Sequence, residues 1–148
     1  MAKRFTATHK DISGDSFTVD IYDSSFAGVA TAFTLAPGGY TLAYSGQSQD
    51  RHNPFLGCQC TVVVAITDAT IEALITDIAQ SQEGRFVVKV TNITDSYTAF
   101  VGNALADIAV IQAMDYPYTS RLTATDGLAA LKKEEYSNDA TLYEGLET

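Results

Sequence analysis

The chain is poor in the residues that most often build catalytic or metal-binding centres. Its 148 residues include no Trp, two Cys, two His and two Met. Two cysteines and two histidines leave few ways to assemble a metal site or a nucleophile with its base. Only three Pro and ten Gly are present, so the sequence predicts no long linker.

Basic residues and long apolar runs are also scarce. Nine Lys and Arg face 18 Asp and Glu, giving a net charge of −9 and a pI near 4.4. Proteins that bind nucleic acid usually carry the opposite sign, so no specific nucleic-acid binding is expected. The longest apolar run, 62–66, falls far short of the roughly 18 residues of a membrane span, and residues 5–16 lack the apolar core of a signal peptide. We therefore expect a soluble protein made in a cytoplasm, with no membrane span.

What the chain does contain is alternating apolar and polar residues rich in Thr and Val. With 46% hydrophobic and 18% charged residues it has a globular composition, and period-two alternation is typical of half-buried strands. A loop around a short strand is expected over 23–37, and an extended apolar segment over 104–111. The main strands are predicted at 3–10, 16–22, 40–44, 58–67 (a central strand covered on both faces), 85–90, 96–103 and 118–124.

Two helices are predicted between these strands. Asp68 is a suitable N-cap for a helix reaching about residue 80, whose apolar residues follow a 3-4 repeat. Asp126 precedes a second helix with Leu128 and Leu131 on one face. The sequence thus predicts an α+β fold, a β-barrel-like domain of mostly antiparallel strands with two short helices, over residues 1–136. Residues 137–148 form a C-terminal extension. The apolar stripe of the first helix is Ile71, Leu74, Ile75 and Ile78.

The two cysteines are separated by one residue. On an extended strand Cys58 and Cys60 face the same side roughly 6.5–7 Å apart, too far for an unstrained disulfide. They offer two metal ligands, but only His9 and His52 remain to complete a site. We therefore predict that both thiols are reduced and unmetallated, and that they face the core or pack under the loop at 50–54.

No other pattern predicts catalysis, a cofactor or a metal. Asp50 and His52 are spaced like a base and its orienting acid, but no nucleophile motif accompanies them. The remaining candidates fail on spacing or context, and we interpret them as structural or solvated residues. They are the acids Asp11, Asp15, Asp20, Asp68 and Asp77, the pair Glu134 and Glu135, the glycine-rich Pro37-Gly38-Gly39, and the Asn92-Ile93-Thr94 glycosylation pattern.

Three segments carry a resemblance to a known family. The first runs from an aromatic-proline pair into a strand and a capped helix, and comprises Tyr116, Pro117, Leu122, Ala124, Asp126, Gly127, Leu128, Leu131, Lys132 and Tyr136. The second comprises Tyr44, Gly46, Asp50, Pro54, Gly57, Cys58, Thr61 and Val62. The third comprises Phe100, Gly102 and Asp107, within the stretch 100–107. In this order along the chain they resemble the hub proteins of phage-type tails and related contractile injection systems, in the first barrel domain.

The chain departs from the family pattern at two points. Family hubs usually continue into a second barrel-like domain after the 116–136 motif, whereas this sequence extends only to Thr148. The family segment around Phe100 often carries a Trp, or a Pro before the aspartate, where this chain has Phe100 and Ala106.

The resemblance implies a structural virion part with no enzymatic activity. Such hubs are homotrimers at the tip of the tail tube, between a tail tube or distal tail protein and a tip or tape-measure protein, and they line the channel for DNA passage. The expected location is the virion tail, assembled in the host cytoplasm. The acidic composition would suit a channel wall that does not hold DNA, although acidity also serves solubility. A ring part needs edges that pair with a neighbour; candidates are the strands 85–90 and 96–103 and the tail 142–146.

Other functions remain open at this level. Within the same machine, the chain could be a distal tail or tube protein. Outside it, a small ligand-binding β-barrel is the main rival, and it would need a roomy apolar cavity with a few convergent polar groups. A hydrolase comes third, since no nucleophile motif is present.

Overall fold

The computed structural model describes residues 1–45, 57–82, 84–105 and 115–127, together with two short strands near the C-terminus. Within these residues the chain forms a β-rich α+β fold with one helix. The elements are β1 (Ala2–Lys10), β2 (Ser16–Asp23), β3 (Thr31–Ala32), β4 (Thr34–Ser45), β5 (Gly57–Ile66), α1 (Ala69–Gln80), β6 (Phe86–Asn92), β7 (Tyr97–Ala104), β8 (Tyr118–Thr125), β9 (Ser137–Asn138) and β10 (Thr141–Leu142).

Eight strands form one sheet in the order β3-β1-β2-β6-β7-β8-β5-β4, and β9 and β10 form a separate pair. All neighbours are antiparallel except β1 and β3. This confirms the predicted β-rich α+β fold of mostly antiparallel strands, but the sheet is open rather than closed into a barrel. The two edge strands, β3 and β4, are nevertheless consecutive in the chain, with only Phe33 between them. The Phe33 amide donates a hydrogen bond to the Thr6 carbonyl of β1 at 2.9 Å.

The sequence of β4 explains an irregularity in its pairing with β5. Pro37 has no N–H to donate, and Gly38 and Gly39 have φ values of 97° and 52°. The β4–β5 register shifts between Leu35 and Tyr40, the stretch that holds these residues. The glycines therefore take the strand out of the extended conformation at this register shift.

Most predicted strands are confirmed to within two residues, with two differences. β4 begins at Thr34, where a loop was expected. β5 is not covered on both faces as predicted, because its buried residues alternate with exposed Gln59 and the partly exposed Thr61, Val63 and Ala65. The other face of an antiparallel sheet stays open to solvent, which explains this alternation.

The core lies between the inner face of the sheet and α1. Asp68 caps the helix by accepting hydrogen bonds from the amides of Thr70 (2.8 Å) and Ile71 (3.2 Å), as predicted. The helix ends at Gln80 with Ser81 as C-cap, before the predicted Gly84. Its four-residue apolar stripe is at most 3% exposed. The sheet contributes Val19, Ile21, Val62, Val64, Phe86, Val88, Val90 and Leu122 among others.

Several expectations fall outside the described residues. The second predicted helix lies beyond Gly127, outside the described residues, and so does most of the extended segment predicted at 104–111. The division between a domain at 1–136 and an extension at 137–148 stays a prediction.

Candidate functional site

The segments that carry the resemblance approach one another where β5, β7 and β8 meet. β8 pairs along β5 from Ile66↔Tyr118 to Gln59↔Thr125. β7 pairs with β8 only at its end, through Asn103↔Thr125 and Ala104↔Ala124. We call Cys58, Phe100, Gly102, Thr125 and Asp126 the signature junction.

Gly102 allows two backbones to cross closely at this junction. A Cβ at this position would lie 2.4 Å from the Thr125 carbonyl oxygen and 2.4 Å from the Phe100 ring. Only glycine leaves the space that this crossing requires. The Phe100 side chain, 5% exposed, covers the missing side chain of Gly102, as aromatic residues do over glycines in sheets. The spacing Phe-x-Gly therefore has a packing function.

Asp126 ties the end of β8 to the start of β5. Its carboxylate accepts a hydrogen bond from the Cys58 amide at 2.8 Å, and its own amide donates to the Cys58 carbonyl at 3.0 Å. The sequence predicts Asp126 as a helix cap, a local role. Its bond to Cys58 spans 68 positions along the chain, so no local pattern could reveal it.

Both cysteines face the core, which confirms their predicted orientation. Cys58 is 7% exposed, Cys60 is fully buried, and neither forms a disulfide. Burial raises the pKa of the Cys60 thiol to about 12. Burial and the nearby Asp126 carboxylate also raise the pKa of Cys58. A thiol held in its neutral form is a poor nucleophile and a poor metal ligand.

Of the two histidines, the structure describes His9, which has a packing role. The His9 ring packs edge-to-face on Tyr40 at 6.4 Å and lies against Gly39. His52 and Asp50 lie outside the described residues. Across the described ranges, no cluster of three or more His, Cys, Asp or Glu could hold a metal ion.

The acidic and amide candidates have structural partners. Asp20 bonds Thr6 at 2.6 Å and Lys3 at 3.0 Å. Asn92 is 2% exposed and bonds Asp95 in the β6–β7 turn, so its amide is inaccessible to modification. The Asp11 carboxylate accepts from the amide of Asp15 in the β1–β2 turn. Glu134 and Glu135 lie outside the described residues.

Sequence reasoning missed a charged cluster that joins the helix to the sheet. Arg4 contacts Asp23 at 2.7 Å and Asp77 at 2.5 Å, and Arg85 contacts the same acids at 3.1 and 3.0 Å. Asp23 is only 1% exposed. Burial alone raises the pKa of Asp23, but hydrogen bonds from Arg85, the Ser25 amide and Arg4 together hold it below its usual value. We call these four residues the Arg–Asp cluster; their wide spacing in sequence gave no signal.

The cleft beside this cluster does not have the lining of a small-molecule pocket. It measures about 540 Å³ and is lined by Ser24, Ser25, Gln80, Ser81, Gln82, Gly84 and Arg85. Ligand pockets are instead mostly apolar with a few convergent polar groups. This cleft therefore does not supply the cavity that a ligand-binding barrel would need.

Comparison with protein-family models, curated proteins and solved structures finds no match to this chain. No helix in the described part of the chain has the length and apolar character needed to cross a membrane. Because no comparison indicates a function, the interpretation of function depends on the signature junction.

Proposed function

We propose that this chain is a structural component of a phage-type tail, the hub ring at the tip of the tail tube. The observation that carries the proposal is the signature junction. Three separated segments resemble hub motifs in sequence, and residues from these segments touch one another there: Cys58, which follows Gly57, touches Asp126, and Gly102 touches Thr125. Contact among the three segments is what motifs that serve one packing task require, and it supports the proposal.

The open sheet supports a role in assembly. β4 pairs with β5 on one side only, and among the described strands β7 has no partner opposite Tyr97–Gly102 on its β8 side. Unpaired strand edges present backbone donors and acceptors to a neighbouring chain. One expected interface strand is wrong, because β6 lies between β2 and β7 and offers no edge. The predicted tail interface at 142–146 lies almost wholly outside the described residues.

The proposal extends to the arrangement in the particle. Three copies form a ring on the tail axis, and pairing between neighbours completes the barrel-like closure that one open sheet lacks. The ring lies between a tail tube or distal tail protein and a tip or tape-measure protein. Its acidic wall lets DNA pass without gripping the phosphates. The assembled ring resides in the virion tail, built in the host cytoplasm, and performs no catalysis.

Complementation of a deletion tests this function. The gene for the chain is deleted from the genome of the particle and replaced with wild type or with His52→Ala. We expect the deletion to give particles with no functional tail tip, seen by negative-stain microscopy and plaque counts. Both replacements should restore them, because no step depends on His52. Complete tails in the deletion, or a failure specific to His52→Ala, would contradict the structural role.

A further inference from the structure

Within the described part of the chain, the outer face of α1 contacts Tyr116 through Glu72 and the Arg–Asp cluster through Asp77. Its inner face is buried in the core, whereas the opposite side forms a shallow groove of about 420 Å³. We call this groove the α1 face. It is lined by Ala69, Glu72, Ala73, Thr76, Asp77 and Gln80.

Small side chains make the α1 face accessible to another backbone. Ala69 and Ala73 are exposed and lie one turn apart on the helix, with Thr76 following them. Rows of this kind allow close approach, but they do not determine what binds. The charged side chains beside these small residues indicate which kind of partner would bind.

Negative charge is concentrated at the N-terminal half of the α1 face. Asp68 and Glu72 have no ion-pair partner among the described residues, and α1 contains no Lys or Arg. Asp77, at the other end, is already neutralised in the Arg–Asp cluster. Hydrogen bonds from the amide of Ile71, the hydroxyl of Thr67 and the amide of Thr70 lower the pKa of Asp68, so it stays ionised.

An aromatic pair borders the same charges. The rings of Tyr116 and Tyr118 stack with 6.0 Å between centroids and 8° between planes. The Tyr116 hydroxyl donates to one carboxylate oxygen of Glu72, which orients the carboxylate beside the rings. Tyr116 remains 44% exposed.

We propose that the α1 face is a docking surface for a protein segment that carries arginine side chains. A guanidinium can stack on the exposed ring of Tyr116 while it donates to the adjoining Glu72 carboxylate, a combination that lysine cannot reproduce. Asp68 adds a second negative charge one helical turn away. The net charge of −9 also attracts such a segment over a distance. This inference goes beyond the hub function and stands independently of it.

A pair of probe peptides tests the proposal with the full chain. The first is a capped, alanine-based helical peptide with arginines three or four residues apart, so that they share one face. The second replaces every arginine with lysine. Binding is measured by isothermal titration and by NMR shift changes at low salt, because screening weakens exposed charge pairs. We expect the arginine peptide to bind more tightly and to shift the amides of Ala69, Ala73 and Tyr116.

Two charge-removing variants keep the local structure intact. Glu72→Gln still accepts the Tyr116 hydroxyl, and Asp68→Asn is an equally good N-cap. Each should weaken binding of the arginine peptide by about tenfold. Asp15→Asn is the control, since it removes the same charge from the β1–β2 turn and should change the affinity less than about twofold.

The outcomes separate this docking mode from the alternatives. Absence of binding by the arginine peptide at low salt would overturn the proposal. Equal binding of the lysine peptide, or equal losses in Asp15→Asn and Glu72→Gln, would also overturn it, because the attraction would then be non-specific.

Discussion

Gly102 lies where β7 crosses the end of β8, at a distance that leaves no space for a side chain. Replacing a glycine with alanine usually stabilises a chain by about 0.4–1 kcal/mol when the backbone conformation allows it. Here the new Cβ would lie 2.4 Å from the Thr125 carbonyl oxygen, so backbone must move. We predict that Gly102→Ala lowers the free energy of unfolding by about 1–3 kcal/mol, measured by urea denaturation.

Gly127 provides the matched control for this substitution. It follows Asp126 directly, and nothing lies within 4 Å of a Cβ built there. Gly127→Ala should therefore lower the free energy of unfolding by less than about 0.5 kcal/mol. If both variants lost the same stability, the close crossing at Gly102 would not be the cause.

The two thiols give a second prediction for individual residues. Burial raises the pKa of both Cys58 and Cys60, so little thiolate is present near neutral pH in the folded protein. We predict slow modification of both by a thiol reagent in the native state and rapid modification of both in denaturant. Fast native reaction, or stoichiometric zinc in the purified protein, would contradict reduced core cysteines.

At the level of elements, α1 is held by its buried stripe. Leu74 is 1% exposed and packs among Ile71, Ile75 and Ile78. Leu74→Ala should lower the free energy of unfolding by about 2–5 kcal/mol, because it removes buried methyl groups and leaves a cavity. The exposed Ala73→Ser serves as control and should cost less than about 0.5 kcal/mol. A small effect of Leu74→Ala would mean that the helix is not anchored in this core.

The Arg–Asp cluster joins α1 to β1 and β2, and it gives the fold an acid-sensitive contact. The pKa of Asp23 is lower in the folded state than in the unfolded chain, where it is about 3.9. Its contribution is therefore fully present above that value and is lost as pH falls towards the folded-state pKa. Asp23→Asn should cost about 1–3 kcal/mol at neutral pH, and the difference from wild type should shrink below about pH 4.

Unfolding measured at a series of pH values checks this dependence. Asp15→Asn is the control, because Asp15 has no ion pair among the described residues. Its difference from wild type should stay small at every pH. A cost of Asp23→Asn that persists unchanged at low pH would show that lost packing, rather than the ionised carboxylate, is responsible.

Elements with local signals could be predicted from sequence, whereas long-range partners could not. The N-cap Asp68 and the apolar stripe from Ile71 to Ile78 lie within about three helical turns of one another. The start of α1 and its buried face were therefore predicted correctly. The early start of β4 was missed because Pro37 and Gly38 usually mark a loop, yet here they form an irregularity inside a strand. Arg4 and Asp77 lie 73 positions apart, and only the fold brings them together.

At the level of the whole molecule, the open edges distinguish this sheet from a self-contained barrel. Alternation along each strand predicted which side chains face inwards, as in β8, where Leu122 and Ala124 are buried. The open form of the sheet could not be predicted. Whether the edge strands β3 and β4 pair further depends on where their backbones lie, and the pattern of side chains does not encode this. A sheet with unpaired edges is suited to completion by neighbouring subunits.

The hub proposal is tested most directly by a cryo-EM reconstruction of the intact particle in which this chain is located and its copies are counted. The account predicts three copies in a closed ring on the tail axis, at the tip of the tube, with strand edges paired between neighbours. A chain that lies off the axis as a peripheral attachment, or that is absent from the tail, would contradict it.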